Sequence, residues 1–278
     1  PSRSLPILTL DSAVQLERNS GRDGTRLVTL EPRVNYVYIP YRDQNLLPVF
    51  DSGLPDPNFV SLFRANRYSG FDRIGDANNL TLGITTRMLR SRTGQQYLSA
   101  TLGETVHLSQ PRVTLPGETA DTRRRSDLLA NLELTAYRNW NLHYDVAWNP
   151  DSSRTEKSLL ALQYLPAGNK VVNLGYRYTR GSVEQAEASA AWPIGRHWDF
   201  YGRRIYSFLD RRPIETFTGF QYRASCWGMR LVLRDSVSSR SGERDTGWYL
   251  QLELKGLSSV GSGADSFLQG SIQGYSPQ

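Results

Sequence analysis

Alternation with a period of two recurs along almost the whole chain, and it constrains the fold more than any other feature. The clearest case is 142–148, where Leu142, Tyr144, Val146 and Trp148 oppose His143, Asp145 and Ala147. Leu160, Leu162 and Tyr164 oppose Ala161 and Gln163, and Val172, Leu174, Tyr176 and Tyr178 oppose Asn173, Gly175 and Arg177. Near the end, Trp248, Leu250, Leu252 and Leu254 oppose Tyr249, Gln251, Glu253 and Lys255. Successive side chains of a strand point to opposite faces, so each segment reads as a strand with one apolar and one polar face. Turn signals separate the segments, which lie near 6–18, 26–40, 79–89, 96–108, 128–138, 142–148, 158–165, 171–179, 184–192, 197–209, 216–222, 227–234 and 248–257. The count is about thirteen strands, with no convincing helix.

Strands of about 8–13 residues suit a tilted bilayer crossing. The connections near 19–25, 91–95, 139–141, 166–170, 193–196 and 223–226 are mostly short, and those at 41–78, 109–126, 149–157, 180–183, 210–215 and 235–247 are mostly longer. Short turns on one side and longer loops on the other mark an outer-membrane barrel with its short side in the periplasm. Trp140, Trp192, Trp198 and Trp227 sit beside short turns, and Trp148 and Trp248 at loop-side ends, where interfacial aromatics collect. Hydrophobic residues make up only 38% of the chain, as expected when half of each strand faces a polar lumen. The expected fold is all-β, an antiparallel transmembrane β-barrel. An odd strand count leaves unpaired edges that lipid does not tolerate, so further strands are expected before the first, and these 278 residues are not expected to close alone.

The longest connection follows the strand in which Val34, Tyr36 and Tyr38 oppose Arg33 and Asn35. It lacks a period but carries Phe50, Phe59, Leu62, Phe63, Tyr68, Phe71 and Ile74, anchors that disordered segments lack. It therefore reads as a folded, functional loop. Its charged and aromatic residues Arg42, Asp43, Asp51, Phe63, Arg64, Arg67, Tyr68, Asp72 and Arg73 suit a cap over the lumen, packed on a plug.

The formal charge of +6 is carried almost wholly by arginine, the lysines being only Lys157, Lys170 and Lys255. GC-rich coding accounts for this, as does an anionic partner met by arginine's planar fork. No basic cluster sits in a nucleic-acid-binding motif, so no nucleic-acid partner is expected. Arg33, Arg177, Arg230 and Arg234 are candidates for a cationic lining of the polar face that meets lipid phosphates. His107, His143 and His197 are scattered, with no serine tied to them by motif and no zinc spacing, so neither catalysis, a metal nor a cofactor is expected. The single cysteine, Cys226, has no intrachain partner.

Three passages carry a resemblance: LEPRVNYVYIPYRDQ, FDS, and LFRANRYSGFDRIGDANNLTLGITTR; AAWPIGRHW, GFQYRASCW and LELKGLSSVG continue it. Together they resemble the LptD (Imp/OstA) family of lipopolysaccharide-assembly proteins. The resemblance implies the C-terminal half of a barrel of about 26 strands in the outer membrane of a Gram-negative bacterium. A periplasmic jelly roll and the first barrel strands would lie outside this chain. It implies partners: an LptE-type lipoprotein plug, an LptA-type periplasmic bridge, lipopolysaccharide and outer-membrane lipids. It also implies a lateral gate between the first and last barrel strands, here the strand of Trp248, Leu250, Leu252 and Leu254. Cys226 falls at the family's cysteine pair, whose partners lie near the mature N-terminus; Ser225 stands at the other position, so at most one interdomain disulfide is expected. The competing expectation is a passive diffusion porin, with an open pore and no plug.

Overall fold

The computed structural model describes residues 3–21, 24–237 and 242–277. Its strands are β1 (Leu8–Ala13), β2 (Leu16–Ser20), β3 (Arg26–Ile39), β4 (Ala77–Arg90), β5 (Gln96–His107), β6 (Leu128–Tyr137), β7 (Trp140–Asn149), β8 (Arg154–Tyr164), β9 (Val171–Thr179), β10 (Val183–Ile194), β11 (Trp198–Ser207), β12 (Arg212–Arg223), β13 (Trp227–Val237), β14 (Arg244–Leu254) and β15 (Ser258–Gly261). Two helices interrupt the pattern, α1 (Phe59–Leu62) and α2 (Ala264–Ser271). The strands form one 15-stranded sheet in sequence order from β1 to β15, with β2 also pairing β3. Every resolved register is antiparallel. No helix among the described residues is long and apolar enough to cross a membrane, which says nothing of a β-barrel.

The strand count exceeds the expected thirteen for two reasons. The first segment breaks into β1 and β2, which share β3 as partner, opposite Pro32. Proline donates no ladder hydrogen bond; at the break, Val14 N donates instead to the Pro32 carbonyl at 3.1 Å. The segment expected as the last strand, 248–257, turns at 255–257 into a further strand, β15, so β14 is not the last element of the sheet. The absence of helix is corrected too, by α1 and α2.

Among the fully described connections, the loop sorting holds at 40–76 and 108–127. The connections at 150–153 and 208–211 are as tight as the turns on the other side, because β8 and β12 begin four residues before their apolar alternation, as β14 also does, and 180–182 is equally tight. Those starts read RTEK, RPIE and RDTG. Apolar alternation marks only a belt, while the hydrogen-bonded ladder runs on beyond it with polar side chains. The turn residues at 22–23 and the loop residues at 238–241 lie outside the described residues.

The chain divides into two units, residues 1–133 with 145–157, and 134–144 with 158–278. In each, one sheet face is exposed and apolar and the other is covered. In the first unit Val34, Leu82, Ile84 and Leu102 are exposed, while Asn35, Thr81, Thr85 and Thr105 are buried. In the second unit Leu174, Phe220, Leu231, Leu233, Leu250 and Leu252 are exposed, while Val171, Ser189, Tyr201, Phe217, Gln221 and Val232 are buried. A soluble sheet buries its apolar face; these rows do the reverse. Trp198, Tyr222 and Trp227 stack at the short-turn ends of β11, β12 and β13, with ring centroids 5.0 and 5.4 Å apart, and Trp140 meets Tyr164 at 4.7 Å beside the next turn.

Candidate functional site

Loop 40–76 folds back onto the covered face of β3–β5. Gly83 and Gly103 pair across β4 and β5 in mid-strand and leave a window on that face. Two aromatic rings of the α1 segment fill it: a Cβ at Gly83 would lie 2.6 Å from Phe63 Cζ, and one at Gly103 2.9 Å from Phe59 Cε2. Glycine inside a strand commonly marks such a close approach. Phe59 and Phe63 meet edge to face at 5.2 Å, and the Arg33 guanidinium lies 4.2 Å from the Phe63 centroid. Asn58 caps α1, its side chain accepting from Ser61 N at 2.8 Å while Ser61 Oγ accepts from Asn58 N at 2.8 Å.

Beyond α1 the loop is cross-linked by its own polar residues. The Asp51 carboxylate accepts from Phe71 N and Asp72 N at 3.1 and 3.2 Å, and Asp72 accepts from Phe50 N and Asp51 N at 2.6 and 2.7 Å. These backbone donors hold the Asp72 carboxyl below its ordinary range. Phe50 and Phe71, each next in sequence to one of these aspartates, stay 86% and 84% exposed. Gln44, buried, spans to Ile74 O at 2.7 Å, and Arg73, buried, donates to Gln44 O. Asn66 bridges Arg73 O and Gly75 N, both at 2.9 Å.

A second loop is fastened to the first through Val113. Asp76, buried, accepts from Val113 N at 2.8 Å and from Arg112 N at 2.9 Å. The Val113 carbonyl accepts from Tyr68 Oη at 2.8 Å and from Arg67. Burial and the Glu118 carboxylate, 2.8 Å away, push the Tyr68 hydroxyl up to about 12, so it stays a donor at physiological pH. Nearby, burial pushes the Asp121 carboxyl up, but hydrogen bonds and charge from Arg123 outweigh it and the net direction is downward. A cavity of about 150 Å³ remains between the two loops and the sheet, lined by Arg64, Asp76, Asn79 and His107 among others.

Of the nine residues expected to contact a plug, Asp51, Asp72 and Arg73 are bonded inside the loop, Phe63 packs on the sheet, and Arg67 and Tyr68 bond the second loop. Asp43 accepts from Asn45 N at 3.0 Å. Arg42 and Arg64 are exposed. Gln44, Asn66, Asp76 and the glycine window were missed by the sequence reading.

In the second unit the covered face is occupied by the C-terminal segment. Ala264, Leu268 and Ile272 are fully buried against Val171, Ala191, Tyr201, Phe217 and Val232. Arg230 donates to Asp265 of α2 and, at 2.8 Å, to Gln221 Oε1, and Gln251 donates to Asp265 at 2.7 Å. Arg234 bonds Glu215 at 2.7 Å. Its guanidinium also stands over the Phe267 ring. Arg177 donates to Gln185 at 3.2 Å. The four arginines expected on the polar face all lie there, each within its own unit, and Arg33 is also paired with Asp11. Trp248, Leu250, Leu252 and Leu254 are exposed on the opposite face of β14, whose edge β15 covers from Gln251 to Leu254. Cys226 is free and exposed in the turn between β12 and β13.

Residues 1–198 match the family model described as LptD, LPS transport system D. The chain belongs to the LptD family. It is 38% identical over 275 residues to the LPS-assembly protein LptD of Nitrosococcus oceani, covering 99% of this chain and 37% of that relative. Against the LPS-assembly proteins LptD of Thiobacillus denitrificans and Xylella fastidiosa it is 37% identical over 278 and 283 residues, again 99% of this chain but 38% and 36% of theirs. The chain therefore spans little more than a third of the LptD relatives it matches.

Proposed function

We propose that this chain is the C-terminal part of an outer-membrane barrel that inserts lipopolysaccharide into the outer leaflet. The observation that carries the reading is the apolar rows exposed on one face of the sheet, while the opposite face, polar and apolar residues mixed, is covered by the chain's own segments. Such a surface is stable only where lipid replaces water. No catalytic group is needed, since the barrel would supply a polar lumen for sugars and a seam for acyl chains. β14 would form one side of a lateral gate with a first strand outside this chain, β15 covering only part of its edge. The long loop would meet an LptE-type plug, and an LptA-type bridge would dock on the missing N-terminal part. Cys226 would bond a cysteine there, in an oxidising compartment. The covered face weighs against an open diffusion porin. Depletion of the full-length protein, followed by surface labelling of lipopolysaccharide, tests this: surface label should fall, and undiminished label would reject it.

A further inference from the structure

The exposed apolar face of the second unit carries a trough that the transport reading leaves unused. Its floor is β10, where Ala186, Ala188 and Ala190 succeed one another on that face. Across the sheet they line up in rows: Tyr176, Ala186 and Tyr206; Leu174, Ala188 and Arg204; Val172, Ala190 and Gly202. Leu160 and Leu162 raise the wall beyond β9, and the open groove holds about 450 Å³. The row of Trp192 and Phe200 closes the short-turn end.

Two features identify the occupant. The first is width. β9 and β11 are two strand spacings apart, about 10 Å before side chains are added, which admits an unbranched chain but not a helix. The floor at Ala186 and Ala188 runs about 7 Å along the strand, and beyond it the Phe200 ring lies over Gly202. The second is charge. Arg204 stands on this apolar face in the wall of the trough, exposed and without an ion pair among the described residues. A cation on a lipid-facing surface is costly at depth and tolerable when its long stem carries the head to the interface and an anion. Arg204 lies one row inside Tyr206, which packs on Phe208 at 5.3 Å at the strand's far end from Trp198. Its stem is long enough to carry the head toward the loop-side interface. The acidic residue lining the trough, Glu187, accepts from Arg203 at 2.8 Å, and Glu184 near the rim accepts from the Tyr176 hydroxyl at 3.1 Å.

We propose that this trough binds a phosphate-bearing membrane lipid, with an acyl chain over Ala186 and Ala188 and the phosphate on the Arg204 guanidinium. The site rests on the membrane reading of this face but lies on the outer wall of β8–β11, several strands from β14.

The test uses the full-length protein with its natural partners, delipidated and examined by native mass spectrometry with phosphatidylglycerol or with diacylglycerol of the same chains. The wild type should retain phosphatidylglycerol at least about 10-fold more tightly. Arg204→Leu should lose that preference, Arg204→Lys should keep most of it, and Ala188→Phe should fill the trough and lose both lipids. Equal retention of the two lipids by the wild type, or an undiminished preference in Arg204→Leu, overturns the assignment. A spin label at Leu174 separates the two levels of the argument. A water-accessible label would reject the membrane reading itself, whereas a lipid-exposed label without phosphate preference would reject the trough alone.

Discussion

Asp76 fastens loop 108–127 to loop 40–76, and its removal has a calculable consequence. Its carboxylate is 9% exposed and accepts from two backbone amides, Arg112 N at 2.9 Å and Val113 N at 2.8 Å. In Asp76→Ala both donors lose their acceptor. A buried donor left unsatisfied costs about 1–3 kcal/mol. The lower part of that range applies, because the loop can open and rehydrate, so the pair loses about 2–3 kcal/mol. At a factor of ten per 1.4 kcal/mol, local opening rises about 30- to 150-fold. Hydrogen exchange at Arg112 and Val113 in the detergent-solubilised full-length protein reads it directly, against the strand amides of β4 and β5 as internal reference. Asp76→Asn keeps one oxygen and one good acceptance, so roughly half the free energy and a rise of about 5- to 12-fold are expected. Exchange within about threefold of wild type in Asp76→Ala, with the strands still protected, would refute the claim that this carboxylate joins the two loops.

Three further outcomes follow from the same geometry. The Asp72 carboxyl is depressed in the folded loop, so its contribution is complete above the ordinary aspartate value near 3.9 and is lost as pH falls through the lower folded value. Pepsin cleavage beside Phe50 and Phe71 should therefore accelerate as pH drops below about 4, and Asp72→Asn should be cut readily even at the upper end of that range. Gly83→Ala with Gly103→Ala should expel the Phe59 and Phe63 rings at about 1–3 kcal/mol, raising exchange in α1 while β4 and β5 stay protected. Leu268→Ala, at a fully buried position of α2, should cost about 2–5 kcal/mol of local stability and release the C-terminal segment to protease, with no such effect from Gln269→Ala on its exposed side.

The sheet was legible because alternation reports the environment of each residue directly, and the rows expected to be apolar on 142–148, 158–165, 171–179 and 248–257 do share a face. Strand ends were not legible: the polar starts at Arg154, Arg212 and Arg244 carry no apolar signal, yet the ladder includes them. The C-terminal helix had a signal, Ala264, Leu268 and Ile272 spaced by four, but Gly263 and Gly270 around it argue for a loop. It forms because those three side chains find the covered face, a tertiary gain that propensity does not see. That the long loop is folded could be read from its aromatics. How it is held could not, since the bonds join residues some twenty positions apart, such as Asp51 with Phe71, and no local period encodes them. The central glycines of β4 and β5 were visible in the sequence, and only the rings that fill their window give them meaning.

The division of labour within the loop changes which residues a partner would meet. Asp51, Asp72 and Arg73 are spent on internal bonds, whereas Leu46, Phe50 and Phe71 stand 93%, 86% and 84% exposed on a frame those bonds make rigid. Aromatic side chains held on a rigid frame lose little entropy on binding and commonly dominate an interface. A plug contact built this way predicts a separation of effects. Phe50→Ser with Phe71→Ser should weaken retention of the lipoprotein partner by about 2–4 kcal/mol while amide exchange across 40–76 stays at wild-type rates. Asp51→Ala should weaken retention as well, but only together with faster exchange at Phe71 and Asp72, because it removes the frame and not the contact. Retention that falls in Asp51→Ala and is unaffected in the double phenylalanine variant would place the partner elsewhere and leave the exposed rings without this role.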